Sequence, residues 1–172
     1  MIGKFFRGFL DGSLSTLGIV VGASAASSSV IIAAALGGTL ANGISNTVSA
    51  LSAERITQYG ELRRTASAMV DRDLKESRLE DRMHRETILA GLVDGLATVV
   101  GGCVPVLPYV VMRSSQAGLA AFVVVVALVF VVGLYLGHVS KRNIWISACK
   151  MAILGVAIAG IVHLVQVTIA PQ

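Results

Sequence analysis

Charge is what this sequence lacks over most of its length. No Asp, Glu, Lys or Arg occurs between Asp11 and Glu54, between Asp94 and Arg113, or between Arg113 and Lys141. Charged residues are 14% of the 172, where a soluble domain carries about 25%. An ordinary water-soluble globule is thereby excluded. The two cysteines, Cys103 and Cys149, lie far apart in apolar stretches, which excludes a disulfide framework. No Gly-x-x-x-x-Gly-Lys-Ser/Thr run occurs, so an ATP-driven pump within this chain is not the expectation. No His-Glu-x-x-His motif and no nucleophile beside a base is present, so the expectation is not an enzyme. The formal charge of +4 follows from the loop bias described next and requires no nucleic-acid partner.

What is there is apolar sequence in long runs. A membrane helix needs about 20 such residues. The first uncharged gap has room for two spans and each of the other two for one. The C-terminal stretch supplies a fifth. The expected spans lie near 8–27, 30–53, 88–111, 116–138 and 144–169. Lys4 and Arg7 with Ala23-Ser24-Ala25 resemble a cleaved signal peptide, but Asp11, Ser13 and Ser15 interrupt its apolar region. Basic residues cluster before the first span, between the second and third, and at Lys141 and Arg142. The positive-inside rule then puts the N-terminus in the cytoplasm and the C-terminus outside. The fold class expected is an all-α membrane protein of five transmembrane helices. Residues 1–172 form a single transmembrane domain that includes a cytoplasmic helical insert at 54–87. The absence of sorting extensions suits a prokaryotic plasma membrane.

Two acids sit where acids are costly. Every Asp and Glu lies between Glu54 and Glu86 except Asp11 and Asp94. Those two share a frame, Gly8-Phe-Leu-Asp11-Gly12-Ser-Leu-Ser15 and Gly91-Leu-Val-Asp94-Gly95-Leu-Ala-Thr98. The frames enter the membrane in the same direction, as in a parallel internal repeat. Asp11, Ser15, Gly18 and Gly22 share one helical face, and Asp94, Thr98, Gly101 and Pro105 share the equivalent one. An ionisable group in a span is a functional-site hypothesis. The blander reading makes each Asp a helix-start residue at the water interface, where its charge suits the dipole.

The second span carries Asn42, Asn46 and Ser49 on one face, at the depth expected for Asp11. An inner-leaflet cluster of Asp11, Asp94, Asn46 and Ser49 follows. Gly18-Ile-Val-Val-Gly22 and Gly133-Leu-Tyr-Leu-Gly137 read as helix-packing seams. Pro105 and Pro108 should break or bend the third span, either to shape an ion path or as a plain kink. Lys150 either snorkels to the interface or serves as counter-ion to an Asp. His138 and His163 read as structural.

The insert alternates acids and bases and reads as helix. Asp73, Glu76, Glu80 and His84 share a face flanked by Met83 and Glu86, a donor set that suits Fe²⁺ or Mn²⁺. The same residues also form i, i+4 pairs, Arg72 with Glu76 and Arg82 with Glu86, as in a solvated salt-bridged helix.

Three runs carry a family resemblance: Asp11-Gly12-x-x-Ser15, the second span leading to Glu61-Leu62, and Gly101-x-x-x-Pro105-x-Leu107-Pro108-Tyr109. Together they resemble the vacuolar iron transporter family, the divalent-metal exporters of yeast and plants with prokaryotic relatives. The resemblance implies a homodimer that moves Fe²⁺ or Mn²⁺ out of the cytoplasm in exchange for protons, with no permanent cofactor. It implies that Asp11 lines the path. The family's path-lining Met is Asn46 here, and its neighbouring Gly-Glu pair is Ser49-Ala50. Insert ligands carry over to Glu61, Met83 and Glu86, while the Glu expected one turn after Glu61 is Arg64. Asp94 is an addition in this branch. Two coupled carboxylates would raise at least one pKa, which would let protons displace the metal. The rivals are a carrier of another small cation and a non-transporting assembly subunit.

Overall fold

A computed structural model describes residues 2–68, 78–112, 114–141 and 143–169. Every described element is helical. Helix α1 is Ile2–Gly22, α2 Ser28–Ala68 and α3 Arg78–Cys103; a single 3-10 turn at Val104–Val106 leads into the short α4, Leu107–Val111; α5 is Ser114–Val139 and α6 Ile144–Ile169. Four stretches are long and apolar enough to cross a membrane, 28–57, 84–111, 116–139 and 144–168. Their mean hydropathy runs from 1.4 in the first to 3.0 in the third. These make the chain an integral membrane protein. Helix α1 does not join them, because Lys4, Arg7 and Asp11 occupy its first half.

Despite those charges, α1 is at the centre. Its Val20 is fully buried in one apolar cluster with Ile31 and Ala35 of α2, Val106, Tyr109 of α4, and Ala117 and Ala121 of α5. Its Leu17 is fully buried in a second, with Val125 and Val129 of α5 and Ala159 of α6. The remaining face of α1 meets α3. One helix thus joins the α2–α3 side to the α5–α6 side. Outward faces carry large apolar residues, such as Leu40, Ile44 and Val48 on α2 and Leu92, Leu96 and Val100 on α3, which is what lipid contact requires.

The α1–α3 contact is built on glycine. A Cβ on Gly8 would run into the Asp94 carbonyl, one on Gly12 into the Thr98 carbonyl, and one on Gly101 into the Phe9 carbonyl. Residue numbers rise together along the contact, so the two Asp-Gly frames lie on helices that run parallel. This seam is Gly8-x-x-x-Gly12, ten residues before the Gly18-x-x-x-Gly22 pair singled out in the sequence. Gly18 and Gly22 face only the Val162 side chain. The Gly133–Gly137 seam stands as expected: a Cβ on Gly133 would lie 2.7 Å from Ala148 Cα, and one on Gly137 2.8 Å from Ile144 Cα. Helices α5 and α6 therefore pack as an antiparallel hairpin. Its turn places Lys141 at φ 51°, and Asn143 Oδ1 accepts a bond from Ile146 N at 3.4 Å as α6 begins, the usual role of Asn at a helix start.

The two prolines act as expected on the apolar stretch 84–111. The α-helix ends at Cys103, tightens through one 3-10 turn and resumes as α4. Pro105 cannot return an N–H to the Gly101 carbonyl. The Ser13 hydroxyl lies 3.0 Å from that oxygen and 2.8 Å from the Phe9 carbonyl, sharing its proton between them. The break lies among apolar side chains, with Val106 and Tyr109 in the cluster around Val20. These contacts describe a kink packed against its neighbours. Helix α2 runs on unbroken from the apolar stretch into the expected insert, through Ala68.

Candidate functional site

The site is built where α1, α2 and α3 meet near the charged end of α1. Asp11 Oδ2 accepts two amide hydrogen bonds from α2, from Asn46 Nδ2 at 2.7 Å and from Asn42 Nδ2 at 3.1 Å. Each amide donates a second time, Asn42 to Ser15 Oγ at 2.9 Å and Asn46 to Thr98 Oγ1 at 2.9 Å. The hydroxyl protons are committed elsewhere: Ser15 donates to the Asp11 carbonyl at 2.6 Å and Thr98 to the Asp94 carbonyl at 2.9 Å. Both hydroxyls must therefore accept, which fixes the orientation of both amides. The i, i+4 spacings Asp11–Ser15 and Asn42–Asn46 make this cluster possible, because each puts its pair on one helical face.

Asp94 has a different environment. It is 2% exposed and bound at both carboxylate oxygens by one guanidinium. Arg7 Nε lies 3.1 Å from Oδ1 and Arg7 Nη2 2.7 Å from Oδ2. This two-pronged geometry is the strong form of the pair. The Arg7 side chain itself is 61% exposed. One turn earlier, Lys4 pairs with Glu54 of α2. Among the described residues every buried side-chain nitrogen and oxygen has a partner.

Arg7, Asp11, Asn46, Ser49, Ala50, Ala53 and Asp94 line one cavity of about 340 Å³. The structure thus brings Asp11, Asp94, Asn46 and Ser49 to the same space. It does not pair the two carboxylates with each other, since each has its own partners. The counter-ion of Asp94 is Arg7, read in the sequence only as a topology signal. Lys150 is elsewhere, exposed and lining a separate cavity with Asn143, Ile146 and Ser147, so its counter-ion reading falls. His138 and His163 are exposed. Arg7 was missed because a basic residue before a span has a topological explanation already, and its partner lies 87 positions away.

Asp73 and Glu76 lie outside the described residues, and so do the side chains of Glu61, Glu80 and Met83. Glu86 is exposed near the start of α3. Among the described residues no three His, Cys, Asp or Glu side chains gather into a ready metal cluster. What the Asp11 cavity offers is oxygen and amide donors with one negative charge left uncompensated.

An all-helical chain with four apolar stretches long enough to cross a membrane, and carboxylates held between three close-packed helices, is a polytopic membrane protein. The chain is a member of the VIT family, whose pattern matches residues 46–166, and members of that family are membrane metal transporters, not enzymes. It is 38% identical over 163 residues to an uncharacterized protein of Methanocaldococcus jannaschii, covering 93% of this chain and 85% of that protein. The pattern begins at Asn46, so Asp11 and Asn42 fall before the matched stretch.

Proposed function

We propose that this chain is a secondary transporter that carries Fe²⁺ or Mn²⁺ out of the cytoplasm, with protons moving the other way. Helix α1 is its fifth span, and the N-terminus is cytoplasmic because Lys4, Arg7 and the bases after α2's apolar stretch lie at that end. The observation that carries the reading is Asp11, whose carboxylate is held by Asn42 and Asn46 beside a cavity. An ionisable group beside an open space at the end of a membrane span is the arrangement that a cation site needs.

A divalent cation in this cavity replaces the two amide donors at Asp11. Turning the Asn46 amide presents its carbonyl oxygen instead. Asp11, Asn46 and Ser49 then supply oxygen ligands of the hard type that Mn²⁺ accepts, and Fe²⁺ accepts them as well. Insert side chains at Glu61, Asp73, Glu76, Glu80, Met83 and Glu86 form the second candidate set, collecting metal before it reaches the cavity. A homodimer fits the exposure of Asp11, which a second copy would cover.

Reconstituted protein tests this. Wild-type proteoliposomes should take up Mn²⁺ or Fe²⁺ under an imposed pH gradient, and Asp11→Asn should abolish uptake. Wild-type rates in Asp11→Asn would remove the site; no uptake by the wild type would remove the function.

A further inference from the structure

We infer that Arg7 is a tethered counter-ion which competes with the transported cation for Asp94. The inference rests on the reading of the Asp11 cavity as the cargo site and names a residue that sets its affinity. Three observations carry it. Asp94 is 2% exposed, so its carboxylate is reached only from the cavity side, where Arg7 already occupies both oxygens. Arg7 also lines the cavity itself, together with Asp11. Its side chain is 61% exposed, so it can swing into water without losing hydration, as long basic side chains near a span's end do.

The charges fit this exchange. With Arg7 seated, the cavity walls carry one net negative charge, from Asp11, Asp94 and Arg7. With Arg7 withdrawn, the two carboxylates match a divalent cation. Leaving Asp94 buried and unpaired would be costly, so the empty carrier keeps its own cation at hand. Cargo binding and the Arg7–Asp94 pair are then linked, and each weakens the other by the same factor. Arg7 hydrogen-bonds Asp94, while Asn42 and Asn46 bond Asp11, Ser15 and Thr98, so Arg7 acts on the cargo through Asp94 and through its own charge.

The test is Mn²⁺ binding to the purified full chain in detergent, read by calorimetry in a mutant cycle. Arg7→Gln should bind Mn²⁺ about tenfold tighter than wild type. In an Asp94→Asn background the same substitution should gain much less, because the contested carboxylate is gone. Equal gains in both backgrounds would reduce Arg7 to a general repulsive charge and overturn the competition; no gain would do so too. A readout on unaltered protein covers the case where Arg7→Gln does not fold. Phenylglyoxal should label Arg7 in the wild type several-fold faster with Mn²⁺ than without, followed by mass spectrometry. Unchanged labelling overturns the inference. Wild-type protein that binds no Mn²⁺ sinks the cargo reading as well, whereas binding that requires Asp11 and ignores Arg7 sinks only the competition.

Discussion

Gly12→Ala asks the most of this architecture for the smallest chemical change. The added methyl would collide with the Thr98 carbonyl oxygen and lie 2.8 Å from the Thr98 carbonyl carbon and 2.9 Å from Gly102 N. All three are backbone atoms of the facing helix, so no side chain can turn aside. Carbon atoms prefer separations of about 3.5–4.0 Å, and α1 and α3 must part by roughly 1 Å to restore them. Overpacking of this kind costs about 1–3 kcal/mol. The separation also stretches the 3.0 Å Ser13–Gly101 bond between the same two helices, a further ~1 kcal/mol. A total near 3 kcal/mol corresponds to a fall in Tm of about 6–12 °C for a chain of this size. The assay is thermal unfolding in detergent, with Gly160→Ala as the control. A Cβ at Gly160 meets nothing within 4 Å, so that variant should melt at or slightly above the wild-type temperature, gaining up to about 1 kcal/mol of helix propensity. If Gly12→Ala melts with Gly160→Ala, the α1–α3 seam is not as close as described and the parallel packing of the two frames is wrong.

Other outcomes follow from single contacts. Ser13→Ala should destabilise by about 1–2 kcal/mol, because the Gly101 carbonyl freed by Pro105 loses the 3.0 Å hydroxyl that serves it; Ser13→Thr, which restores a hydroxyl, should recover part of the loss in the same unfolding assay. Glu54→Gln should shift stability by less than about 1 kcal/mol, since the Lys4–Glu54 pair is about one-third exposed and such pairs are weak; a larger loss would make the α1–α2 end a structural latch. Lys141→Gly should raise Tm slightly, because Lys141 holds φ 51° at a cost of about 1 kcal/mol that glycine does not bear.

The sequence made the lipid-spanning elements legible because the uncharged runs leave few alternatives. The α3 break was legible through Pro105 and Pro108, whose missing N–H groups are a local fact. The Asp11 cluster was half legible. Spacing of four puts Asn42 with Asn46 and Asp11 with Ser15, but spacing alone does not say which faces turn toward each other. That is decided by the Gly8–Gly12 seam, and other glycines stood out. Gly18 and Gly22 sit in an apolar run, where small residues are conspicuous, while Gly8 and Gly12 are masked by the charges around them. Helix α1 itself reads poorly as a span for the same reason: Lys4, Arg7 and Asp11 lower its hydropathy, yet Leu17 and Val20 are fully buried. The Arg7–Asp94 pair joins residues 87 positions apart, and nothing local announces it.

The account turns on whether a cation occupies the space between Asp11 and Asn46. Crystals of the protein grown or soaked with Mn²⁺ and measured for anomalous scattering answer that directly. The account predicts a peak within ligand distance of the Asp11 carboxylate, bordered by Asn46 and Ser49 and with the Asp94 carboxylate on its far side. Peaks confined to residues 73–86, with the Asp11 cavity empty at saturating metal, would contradict it.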